Sequence, residues 1–160
     1  MTVILDDNSK TYSALDTFSA SECSPDVFTG GIADTRGNDG GSNDPYTLYT
    51  VTGEVLVRIF GVCTTSLEGG TATIEIGVSG NTAALISQTT ATDIDANDLW
   101  NDATPTVGTD ILANLTGPHL IINGLDIIET VATSDITAGN IRYVCLWRPI
   151  SRDGNVVSAV

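Results

Sequence analysis

Positive charge is what this chain has least of. Lysine occurs once, at Lys10, and histidine once, at His119. Six Lys and Arg stand against 20 Asp and Glu, a formal charge of -14. Nucleic-acid binding needs clustered cations that displace counterions from phosphate, so this balance argues against it. It argues equally against an anionic membrane surface. Long apolar runs are also missing: none approaches the ~18 residues of a membrane span. Met1 to Asp7 has no basic stretch and meets acid at Asp6. It does not read as a secretory signal, and synthesis and use without export are expected.

Cysteines number three, and none has C-x-x-C spacing. With a single His, this gives no zinc or redox site. Three thiols cannot all pair within one chain. Cys63 and Cys145 lie in strand-like stretches, where a free Cys packs as a small apolar residue. A Cys63–Cys145 disulfide is the lesser alternative.

Catalytic signatures are absent too. There is no phosphate-binding loop, no dinucleotide fingerprint and no G-x-S-x-G elbow. A nucleophile–base pair would need His119, which sits between Pro118 and the run Leu120, Ile121, Ile122 and reads as a turn or packing residue. Among 20 acids no carboxylate pair stands out, and aromatics at 6% are few for stacking a sugar. Trp100 and Trp147 read as core before they read as binding platforms. Arg142 and Arg148 share a strand face, where pairing with acids of a neighbouring strand or chain contributes only ~0–1 kcal/mol. No catalytic residue, cofactor site or metal ligand is assigned, and no enzyme activity is expected.

What is present is alternation. Val55, Val57, Ile59 and Cys63 fall on one face of a strand, against Glu54, Arg58 and Thr64. Leu56, Phe60 and Val62 break the polarity of that second face, as in a strand covered on both sides. After Gly69-Gly70, Ala72, Ile74, Ile76 and Val78 share a face. The two stretches read as a hairpin closed by the glycines. Residues 46–52 lead into it, read as a long strand bent at Gly53. Residues 82–90 form a further strand, with a helical turn as the alternative. Asn123-Gly124 between apolar runs signals a tight hairpin. Its second arm sets Ile127, Glu129 and Val131 against Ile128, Thr130 and Ala132. The last strong strand places Ile141, Tyr143, Cys145 and Trp147 opposite Arg142, Val144, Leu146 and Arg148, and Pro149 ends it. Residues 2–5 read as an edge strand or an arm that docks elsewhere, shorter strands are expected at 27–29 and 110–115, and a turn at 21–25. The expected fold is all-β: a β-sandwich of Greek-key or jelly-roll-like connection with seven to nine short strands. Residues 1–45 form an N-terminal arm and Gly/Asp-rich loop of the same domain, 46–150 the sandwich core, and 151–160 a peripheral C-terminal tail.

Two acidic loops invite a calcium reading. Residues 34–45 offer Asp34, Asn38, Asp39 and Asp44 without the EF-hand pattern. Asp93, Asp95 and Asn97 have the first three EF-hand spacings. Asp98, however, stands where the loop glycine belongs, and Thr104 where the bidentate Glu belongs. The favoured reading is a loop whose Leu99 and Trp100 plug into the core while the acids face water.

The stretch GEVLVRIFGVCTTSLEGGTATIEIGVSGNTAALISQTTATDIDANDLWNDATP, followed after an apolar hairpin by SDITAGNIRYVCLWRPISRDGNVV, resembles small virion structural proteins of tailed bacteriophages, of the capsid decoration or head-auxiliary kind. The resemblance covers residues 46–157 and carries no functional residue over. It implies a non-enzymatic component on the capsid exterior, made in the host cytoplasm. The implied partners are the major capsid protein and further copies of itself, a trimer being one form. In that setting Leu56, Phe60, Val62, Val144 and Leu146 are interface or inter-sheet core. The alternative is a host-surface or glycan-binding head or tail-fibre module built around exposed aromatics such as Trp100.

Overall fold

In the computed structural model, the residues described are 19–23, 36–41, 44–107 and 115–159. They form eleven strands and one 3-10 turn, Ala91–Asp93. The strands are β1 (Ser19–Cys23), β2 (Tyr46–Thr52), β3 (Val55–Glu68), β4 (Thr73–Val78), β5 (Asn81–Thr90), β6 (Asp98–Trp100), β7 (Thr106–Val107), β8 (His119–Ile121), β9 (Ile127–Ala132), β10 (Ala138–Pro149) and β11 (Asn155–Ser158). The first sheet runs β1-β10-β3-β6-β7, with β8 also on β3, and the second runs β11-β2-β9-β4-β5. Every pairing is antiparallel. The protein is an all-β sandwich.

The face assignments follow from side-chain chemistry. Val55, Val57, Ile59 and Cys63 on β3 are buried, as are Ile74 and Ile76 on β4 and Ile141, Tyr143 and Cys145 on β10. These inward positions interleave with partly exposed ones along the same strands. In the β3·β10 register Ile59 lies opposite Cys145, Gly61 opposite Tyr143 and Cys63 opposite Ile141. Each fully buried aliphatic side chain contributes about 1.5–3 kcal/mol of transfer free energy, offset by chain entropy. Gly61 has a packing reason. A Cβ there would lie 2.7 Å from Ile141 Cγ2 and 3.3 Å from the Tyr143 ring, too close for a well-packed core.

Connectivity departs from expectation. β3 and β4 are not a hairpin, since they belong to different sheets. Gly69-Gly70 therefore carries the chain across the sandwich. The same holds at Asn123-Gly124, which takes up φ values of 60° and 62° yet links β8 in the first sheet to β9 in the second. Gly53, at φ 64°, is a third crossing and not a bend in one strand. The Gly124 amide donates to the Gly53 carbonyl at 3.0 Å, tying two crossings together. The dihedral signal was local and real, but which strands a turn joins is decided by long-range pairing.

The local hairpin is β4·β5, turned at Ser79-Gly80. Four further pairings nest, β2 with β11, β3 with β10, β4 with β9, and β6 with β7, while β1·β10, β2·β9, β3·β6 and β3·β8 join strands outside that order. This is a jelly-roll-like winding of a folded ribbon. Further corrections concern extent. Among the described residues the strands number eleven, beyond the seven to nine expected, and β3 and β10 are 14 and 12 residues long. Ser21, Glu22 and Cys23 are strand and not turn, because they add to β10 in register from Ser19↔Trp147 to Cys23↔Tyr143. Within the expected tail, Asn155–Ser158 forms an edge strand on β2 and buries Val156. Residues 2–5, the expected strand at 27–29 and most of that at 110–115 lie outside the described residues.

Candidate functional site

The most concentrated polar chemistry is buried. Glu129 sits on β9 between Ile127 and Val131, on the inward face, and is 1% exposed. Its Oε1 accepts from Arg36 Nε at 2.8 Å, and its Oε2 accepts from Arg36 Nη2 at 2.6 Å and from Tyr143 Oη at 2.6 Å. The two guanidinium bonds form a fork, the strong geometry for this pair. The Arg36 guanidinium lies 4.9 Å from the centroid of the Tyr46 ring and 5.6 Å from that of Tyr143, within cation–π range. Trp100 continues the cluster, its ring 6.2 Å from Tyr143 and its Nε1 donating to Thr89 Oγ1 at 2.9 Å. Glu129 comes from one sheet and Tyr143 from the other, while Arg36 comes from the Gly/Asp-rich loop. Arg36, Glu129, Tyr143 and Trp100 are each at most 4% exposed, and the arrangement is a brace, three elements fixed by charge-assisted bonds.

The rest of that loop is tied down in the same way. The amide of Val131 donates to Asp44 Oδ1 at 3.0 Å, and that of Gly40 to Asp44 Oδ2 at 3.0 Å. The Asp39 amide donates to Asp135 Oδ1 at 2.9 Å. The Asn38 amide, oriented to donate, reaches both Asp135 oxygens at 2.7 and 2.8 Å. The Ile136 amide donates to the Gly37 carbonyl at 2.8 Å. Of the calcium candidates here, Asp44 binds backbone amides and Asn38 binds Asp135, so they do not converge on an ion. Asp34 lies outside the described residues.

The second acidic loop behaves likewise. Asp98 is buried and its Oδ2 accepts from the Asp95 amide at 3.0 Å, while Asp93, Asp95 and Asn97 are exposed. Asn97 takes φ 75°, supplying the turn that a glycine would otherwise make. Among the described residues no group of three or more His, Cys, Asp or Glu could hold a metal ion. Trp100 is fully buried and Leu99 half-buried, and the fully buried indole cannot stack a sugar. Trp147 packs part-buried against the core.

Cys63 and Cys145 are free and buried. Burial pushes their thiols up to about 11 and about 12, with a backbone hydrogen bond and nearby Asp98 and Asp95 further modifying Cys63. Thiols held this high are poor nucleophiles.

His119 lines a groove of about 380 Å³ between β5 and β8, with Val78, Ala84, Leu85, Leu120, Ile122 and Leu125. Its Nε2 is buried without a hydrogen-bond partner, and desolvation holds its pKa below the ordinary value. Among the described residues no acid or hydroxyl side chain lines the groove beside it. Sequence reasoning placed Glu129 on an apolar face without drawing the consequence, that a carboxylate at a core position needs a buried cation. Arg36 is the cation that answers it. Among the described residues no helix is long and apolar enough to cross a membrane. No family model, curated protein or solved structure matches this chain.

Proposed function

We propose that this protein is a non-enzymatic structural component of a phage virion, a capsid decoration protein that binds the assembled shell and stabilises it. The observation carrying the proposal is the outer face of the first sheet. Leu56, Phe60 and Val62 on β3 and Leu146 on β10 are half-buried and alternate with the inward positions, and Val144 beside them is 8% exposed; none of the five belongs to the core cluster between the sheets. Cross-strand neighbours include Phe60 with Val144, Leu146 with Arg58, and Arg148 with Leu56. Arg58, Arg142 and Arg148 thus share this face, half of the chain's six basic residues. An apolar strip studded with arginines on an acidic molecule suits contact with another protein surface. The buried Arg36–Glu129–Tyr143 cluster supports the same reading, because it ties the two sheets and a loop together.

Binding only the assembled shell stabilises that state by mass action. The test is co-sedimentation of the purified protein with assembled capsids of the phage that encodes it. Saturable co-pelleting is expected. A protein that stays in the supernatant and instead binds sugars on a glycan array, with calcium or with EDTA, overturns the proposal in favour of receptor recognition.

A further inference from the structure

Fixed charge is missing from one part of this acidic molecule. Residues 76–92 and 115–125 contain no Asp, Glu, Lys or Arg, in a chain that is 16% charged. Folding makes these stretches opposite walls of the groove between β5 and β8, with Ala84 and Leu85 on one side and Leu120 and Ile122 on the other. Leu120, Ile122 and Leu125 are 57%, 47% and 36% exposed. β5 is an edge of the second sheet, ten residues long and paired only with β4 among the described residues. Soluble proteins commonly protect such edges with charge or proline. β5 carries neither.

We propose that this face receives a second copy of the same chain, groove toward groove, with the β5 edges side by side. The argument is electrostatic. A basic partner is engaged best by carboxylates, and the chain has 20 of them, yet among the described residues none lies on either wall. A surface cleared of acid is what two like-charged molecules need, because like charges facing across an interface repel. Burial of Leu120, Ile122 and Leu125 supplies the drive, and pairing of β5 backbones fixes the register, as in other strand additions. The remaining negative charge opposes approach at longer range. Association therefore strengthens with salt, whereas a complex with a basic partner weakens. The inference does not rest on the shell-binding proposal and stands or falls without capsids.

Sedimentation of the purified full chain decides it. The expected result is self-association that tightens as salt rises from about 0.02 M to 0.5 M, where charge is screened within a few ångströms. Leu120→Glu with Ile122→Glu is expected to weaken it by about tenfold or more. Val157→Glu, on the opposite edge strand, is expected to leave it unchanged. Should the double variant fail to fold, Gln88→Glu at an exposed position of β5 makes the same test and is expected to weaken association likewise. A monomer at every concentration and salt overturns the inference. So does an oligomer that survives the groove substitutions, or one that loosens as salt is raised.

Discussion

A buried ion pair is expensive to break and cheap to replace whole, and that asymmetry governs what Arg36 and Glu129 do. Removing one partner leaves an uncompensated charge in the interior, a loss of about 3–5 kcal/mol. Arg36→Met is expected to destabilise by that amount in urea unfolding, while Arg36→Met with Glu129→Met destabilises much less. Equal losses in the single and double variants would show that the pair is not the brace described. Tyr143→Phe removes only the third bond to Glu129 and is expected to lose about 1–3 kcal/mol. The thiols give a second check at this scale. In a Cys23→Ser background, Cys63 and Cys145 are expected to resist a thiol reagent in the native state and react once unfolded, since the thiolate is the reacting form. The sequence showed Glu129 on an apolar face, but not its partner. Arg36 is far away in the chain, inside a loop with no periodicity, and nothing local marks which cation will be drawn in.

At the scale of elements, alternation made the faces legible and pairing did not follow. Val55, Val57, Ile59 and Cys63 announce a buried face because each residue's environment is written in its own polarity. Gly69-Gly70 and Asn123-Gly124 announce turns because positive φ is a local property. Which sheet each strand joins depends on distant partners, as far apart as Ser19 and Trp147, and local chemistry is silent there. Ser21 to Cys23 misled for the same reason: polar turn formers became strand because β10 offered an edge. Gly61 tests the packing account. Gly61→Ala brings a methyl against Ile141 and Tyr143 and is expected to cost about 1–3 kcal/mol through overpacking. Asp93, Asp95 and Asn97 test the loop account. Millimolar calcium is expected to leave the melting temperature unmoved, and a clear rise would restore the metal reading.

For the whole molecule, pH reports on His119. Its pKa is lowered in the folded state by desolvation, so the unfolded chain binds the extra proton first. Stability is therefore full above the ordinary histidine value near 6.5. It declines as pH falls below that value toward the lowered folded pKa. His119→Gln is expected to flatten the slope of melting temperature against pH in that window, and an unchanged slope would remove the assignment. Folding speed is a second property of the whole. Nested strands from opposite halves of the chain must find one another, so refolding is expected in milliseconds to seconds or slower, as for other β-sandwiches. A further consequence follows for a severed chain. β9 lies between β2 and β4, and β10 between β1 and β3, so the last three strands are woven through the first eight. Cleaving the single Asn-Gly bond at Asn123-Gly124 with hydroxylamine and refolding the two pieces together should give a particle that elutes as one body. Denaturant alone should then separate the halves.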